Sequence, residues 1–139
     1  MIKNSMLINI QMIMTQEDKE LLLKDLCSRL PYGVKVKVKY YDDNWRLLAI
    51  YTNCTTYAIR DIGYPIETCF EDCKPYLFPL SSMTEEQSKE YHELIGGMFG
   101  TSALINFEIL EDFFHKNHFD YRGLIEKGLA IDATNLNIY

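Results

Sequence analysis

The chain has 139 residues, 47% of them hydrophobic and 24% charged, with a net charge of −6. That length suits one ordinary domain, enough to bury roughly 68–70% of the unfolded surface around a single core, and the composition excludes a disordered chain. The acidic balance argues against general nucleic-acid affinity, which depends on basic charge to displace counterions.

Residues 1–13 place Lys3 ahead of an apolar run that is interrupted by Asn9 and Gln11. The run is too short and too polar to span a bilayer, so no membrane partner is expected. No small-x-small cleavage site follows it. Met14-Thr15-Gln16-Glu17-Asp18 reads as a natural opening, an initiator and then a helix cap. Residues 1–13 are therefore read as a non-native extension and 14–139 as a single globular α+β domain. Without a secretory signal, the four cysteines (Cys27, Cys54, Cys69 and Cys73) are expected to be reduced thiols of a cytoplasmic protein.

A first helix is predicted over 15–30. Thr15 is its cap, Glu17 and Asp18 lie in the positive first turn, and Leu22, Leu23, Leu26, Cys27 and Leu30 form its apolar stripe. Pro31 and Gly33 end it. The alternation over 34–41, valine with lysine and then Tyr40-Tyr41, is the clearest strand signal in the chain. Further strands are predicted over 45–52 and 55–60, making a three-stranded antiparallel meander in the order 1-2-3. A three-residue loop at 42–44 would set Tyr41 opposite Trp45, Val38 opposite Leu48 and Val36 opposite Ile50. A two-residue turn at 53–54 would add Tyr57 and Ile59 to the apolar face that holds Val34, Val36, Val38, Leu48 and Ile50.

Residues 62–82 hold Pro65, Pro75 and Pro79 and are read as loop. Thr84-Glu85-Glu86-Gln87 is a capping box that opens a second helix, carrying Tyr91, Leu94 and Ile95 and stopped by Gly96-Gly97. A third helix is predicted over 107–116, with Asn106 as cap and Ile109, Leu110, Phe113 and Phe114 as its stripe. A short fourth helix runs from an Asp120 cap to Gly128 at the left-handed C-terminal position. The tail over 129–139 could pack as an irregular strand.

Four stretches, 21–27 (LLLKDLC), 30–35 (LPYGVK), 74–86 (KPYLFPLSSMTEE) and 120–133 (DYRGLIEKGLAIDA), resemble an uncharacterised family of small proteins from gut-anaerobe genomes and their prophages. They cover less than half of the chain. The resemblance implies an accessory role on mobile DNA and carries over no site residue.

Cys69-x3-Cys73 and His115-x2-His118 have the short spacing of zinc ligand pairs. They lack the tighter cysteine pairs and turn glycines of structural sites, so thiols and helix-end histidines are the preferred reading and no metal or cofactor is expected. No nucleophile elbow, phosphate-binding loop or zinc-protease helix occurs, and Gly96-Gly97-Met98-Phe99-Gly100 follows a helix instead of leading into one. The Glu111 and Asp112 carboxylates are helix neighbours that do not face each other.

The second face of the predicted sheet is the most distinctive feature. It would carry Lys35, Lys37, Lys39, Tyr41, Trp45, Tyr51 and Arg60, with Leu47 and Ala49 among them. Basic side chains interleaved with aromatics bind single-stranded nucleic acid by phosphate contact and stacking. The plainer reading is that the lysines keep an exposed strand from aggregating while the aromatics pair across strands. A non-enzymatic accessory or protein-interaction domain is the preferred function, with a nucleic-acid-binding module as the alternative. If the face is a binding surface, Trp45 would be its anchor.

Overall fold

The computed structural model describes residues 14–60, 63–98 and 103–139; the extension read into residues 1–13 lies outside them. Thr15 is extended and its hydroxyl accepts the Asp18 N–H at 3.1 Å, so helix α1 (Gln16–Arg29) starts at the expected cap. A 3-10 turn over Leu30–Tyr32 follows, and Gly33 at φ +69° closes it in a left-handed conformation that suits glycine.

Strands β1 (Lys35–Val38), β2 (Asn44–Ile50) and β3 (Thr55–Ile59) form the expected antiparallel meander. The segment read as loop supplies two further antiparallel strands, β4 (Ile66–Cys69) beside β3 and β5 (Cys73–Leu77) beside β1. Strand β6 (Ile131–Asp132) pairs parallel with β5, which departs from an all-antiparallel sheet. Among the described residues the order is β4-β3-β2-β1-β5-β6. Pro75 fits inside β5 because the Lys39 backbone N–H donates to the Asp72 carbonyl and Lys37 faces Lys74. Ladder alternation then turns the Pro75 nitrogen outward, where no N–H is needed.

The register of β2 differs from the expected one. Val36 lies opposite Trp45 and Lys37 opposite Asn44, an odd-numbered shift from the predicted pairing that reverses every β2 side chain. The predicted phase would have aligned Arg46 with Leu48 and Ile50 on the core face. The observed phase buries Trp45 and Leu47 and leaves Arg46 and Leu48 outside. An irregularity between Leu47 and Ala49 then returns Ile50 to the core. In β3 the buried residues are Thr56 and Ala58 in place of Tyr57 and Ile59. The connection at 52–54 is three residues long, with Tyr51 donating to the Thr55 carbonyl and Cys54 at φ +66°.

The sheet is strongly curled. Cys69 ends β4 and Cys73 begins β5, yet four interstrand steps separate these strands. Four residue steps reach at most about 14 Å, whereas four flat strand spacings need about 19 Å. The edges therefore bend toward each other over the concave side. There Val34, Val36, Val38, Trp45, Leu47, Ala58 and Phe70 pack with Leu22 and Leu26 of α1.

The capping box closes both ways, with Thr84 N–H to Gln87 Oε1 at 2.9 Å and Gln87 N–H to Thr84 Oγ1 at 3.2 Å. Helix α2 (Glu85–Met98) runs on through Gly96 instead of stopping there, and α3 (Ala103–Lys116) starts earlier than predicted. The two helices form a second core, in which Tyr91 and Leu94 meet Phe113, Phe114 and Phe119. The fourth helix is absent. The Asp120 carboxylate does cap Leu124 and Ile125 at 2.9 Å, and Gly128 is left-handed at φ +72°, but Gly123 at φ +76° breaks the right-handed path between them. Among the described residues no helix is long and apolar enough to cross a membrane.

The tail is held by a side chain spliced into the sheet. The Tyr139 hydroxyl accepts the Lys35 N–H at 2.8 Å and donates to the Tyr76 carbonyl at 3.0 Å, bridging β1 and β5 where their direct ladder would continue.

Candidate functional site

The convex face of the sheet follows from the parity of β1. With Val36 and Val38 turned inward, Lys35 and Lys37 turn outward. The observed register sets Arg46 directly opposite Lys35, and Lys74 of β5 directly opposite Lys37. Lys37, Arg46 and Lys74 are exposed, and among the described residues none of the three is in an ion pair. Two adjacent rows of like charge therefore cross three strands. Directly opposed like charges destabilise a sheet, so this arrangement works against the fold of a chain that is acidic overall.

The seven residues predicted for one face divide. Lys35, Lys37 and Tyr51 lie on the convex side. Lys35 is half-buried because its ammonium donates to the Ile138 carbonyl at 2.8 Å. Tyr51 is exposed but meets Tyr57 edge to face at 5.6 Å, toward the other end of β2. Lys39 lies just beyond β1, its ammonium 5.2 Å from the Tyr40 ring. The other three belong elsewhere. Trp45 is 2% exposed and faces the core. Tyr41 meets it edge-on at 5.4 Å, and the Arg60 guanidinium lies 5.5 Å from its ring while pairing with Asp43 at 2.7 Å. The aromatic anchor thus leaves the predicted face, and Arg46 and Lys74 join it.

A buried ionic cluster ties α1 to the segment after α3. Asp25 and Arg29 are both 0% exposed, at positions that the predicted stripe of α1 did not include, whereas Cys27 of that stripe is exposed. Arg29 Nε donates to Asp25 at 2.8 Å, and Arg122 donates to the other carboxylate oxygen at 2.9 Å. Arg29 Nη2 also donates to the Phe119 carbonyl at 2.6 Å, while its Nη1 is buried without a partner. Nearby, His115 and Tyr121 share a hydrogen bond of 2.7 Å. Burial, then the charges of Arg29 and Arg122, hold the His115 imidazole below its ordinary pKa. Every strong partner in this cluster is another part of the fold, so it reads as a clamp.

The cysteine and histidine pairs do not meet. The Cys73 thiol donates to the Cys69 carbonyl at 3.6 Å, and burial is the main reason its pKa is pushed up to about 12, the opposite of what a nucleophile needs. The His118 ring stacks on Tyr139 with centroids 3.7 Å apart, away from the His115 contact with Tyr121. Among the described residues no three His, Cys, Asp or Glu side chains gather as metal ligands.

His118 makes stability depend on pH. Burial, then the charges of Arg29 and Lys35, lower its pKa from 6.5 to about 4, and its Nδ1 is buried without a partner. The folded protein holds it neutral, whereas the unfolded chain protonates it near its ordinary value. The contribution is complete above about pH 6.5 and lost as pH falls toward 4, roughly 3 kcal/mol in all. Urea unfolding measured at steps between pH 7 and 4 should show this slope. His118→Asn, which suits the left-handed φ of +59°, should flatten it, and an unchanged slope would assign it to other groups.

No family model, curated protein or solved structure matches the chain.

Proposed function

We propose that the chain is a non-enzymatic accessory domain that holds an acidic protein partner on the convex face of its sheet. The observation that carries this reading is the pair of like-charged rows, Lys35 opposite Arg46 and Lys37 opposite Lys74, with no acidic side chain paired to Lys37, Arg46 or Lys74 among the described residues. A sheet that opposes cations at some cost to itself is suited to a ligand that neutralises them. A protein is preferred over a nucleic acid because the chain is acidic overall and the aromatic expected as the stacking anchor is withdrawn from the face. Trp45 is buried, and Tyr51 and Tyr57 are engaged edge to face with each other.

Charge reversal separates function from fold. Lys74→Glu creates a favourable cross-strand pair with Lys37 and should raise stability by about 0.2–1 kcal/mol. In the Lys37→Glu/Lys74→Glu double variant, capture of the partner from extracts of the expressing cells should fall at least tenfold. Mass spectrometry should identify a stoichiometric protein of acidic surface that is lost as salt is raised. Retained capture by the double variant would sink the proposal, and recovery abolished by nuclease would transfer it to the nucleic-acid alternative.

A further inference from the structure

We propose that the cleft along the outer edge of β5 binds an anionic amphiphile, a carboxylate carried on an alkyl chain. The cleft has a volume of about 670 Å³ and lies between the first turns of α1 and residues 127–131. That size falls within the range of small-molecule sites. Its apolar lining comes from Leu22 and Leu129, both buried, with the half-buried Met14 and Ile131.

The rim has the opposite character. Lys19, Lys37, Lys39, Lys74 and Lys127 line it, against the carboxylates of Asp18, Glu71 and Asp72. Five ammonium groups thus face three carboxylates in a chain whose net charge is −6. Lys19 reaches Glu71 only at 4.0 Å, and among the described residues the other four lysines are in no ion pair. An apolar interior beneath a cationic rim complements a ligand with an aliphatic body and an anionic head.

The edge itself speaks against an added peptide strand. The outward positions of β5 here are Cys73 and Pro75. The Cys73 N–H already bonds the Phe70 carbonyl, and Pro75 has no N–H. The edge therefore offers acceptors without donors, and a strand adding to it would leave its own carbonyls unpaired. A small amphiphile makes no such demand.

The test is calorimetric titration of the full chain with monomeric dodecanoate at low salt. One saturable site is expected. Decanoate, two methylenes shorter, should bind roughly tenfold more weakly, and dodecyltrimethylammonium should not bind. Lys127→Glu should weaken dodecanoate about tenfold with the melting temperature retained, since Lys127 is an exposed turn residue. Lys116→Glu, on α3 outside the cleft, should bind as the parent does. Absence of saturable binding, equal binding of the cationic amphiphile, an unaffected Lys127→Glu variant, or binding to anionic phosphatidylglycerol vesicles alone would each overturn the proposal. Lys37 and Lys74 belong to both surfaces, so the two readings are separated at Lys127, which lies outside the paired rows: Lys127→Glu should weaken dodecanoate binding while partner capture is retained.

Discussion

Replacing Asp25 with alanine is expected to cost about 3–5 kcal/mol, a large share of the roughly 5–15 kcal/mol available to a domain. Asp25 is the only carboxylate within salt-bridge reach of Arg29 and Arg122 among the described residues, and both it and Arg29 are fully enclosed. Removing it leaves a buried guanidinium whose Nη1 already lacks a partner, facing a second cation whose side chain is 13% exposed. Arg122 can turn toward water, but Arg29 cannot. Urea unfolding should show the loss as a lower midpoint at an unchanged slope. The double replacement Asp25→Leu/Arg29→Met should recover a substantial part of it, because an uncharged pair has no ion to desolvate. A double variant no more stable than the single one would mean that the clamp is irreplaceable in shape, not only in charge.

Trp45→Ala should cost about 3–5 kcal/mol, the range for deleting a core aromatic. The indole is 2% exposed and lies in the main core with Val36, Leu47, Ala58 and Phe70. Tyr41 and the Arg60 guanidinium would also lose the surface they rest on. Because the indole N–H is buried without a partner, Trp45→Phe removes an unmet donor along with some volume and should cost less than half as much. Thermal and urea unfolding of the two variants check this order. A Trp45→Ala protein that keeps its stability but loses its partner would return Trp45 to the binding surface.

These two residues also mark where reading from sequence stops. The caps at Thr15 and Thr84 are legible because every atom that makes them lies within four residues. Strand β1 is legible because valine and lysine alternate without ambiguity, but it stops at Val38 and not at Tyr41, since Tyr40 turns left-handed at φ +73°. In β2 both phases are partly apolar, Trp45 with Leu47 and Leu48 with Ile50, and only the cost of burying Arg46 separates them. The irregularity at Leu47/Ala49 then uses part of each. That choice decides the site, since it removes Trp45 from the cationic face and adds Arg46. Lys74 was hidden for another reason: proline argues against a strand unless its neighbours show that it faces an edge. Asp25 and Arg29 have the spacing of an ordinary surface ion pair. Their burial depends on residues 119–122, almost a hundred positions away. Asp120 and Gly128 make the local contacts of a helix cap and stop without the helix, because Gly123 intervenes.

The bridge from Tyr139 to Lys35 has a consequence for biosynthesis. Its two ends are 104 residues apart in sequence. At translation rates of about 5–20 residues per second, Lys35 emerges from the ribosome roughly 5–20 s before Tyr139, whose hydroxyl completes its pairing, does. Within that interval β5 can already pair with β1 through Lys37 and Lys74, but the position at Lys35 and Tyr76 lacks its bridge. The order of synthesis therefore leaves this seam of the sheet open until Tyr139 has emerged, and the joint between Lys35 and Tyr76 should be the last part of the β1–β5 pairing to close.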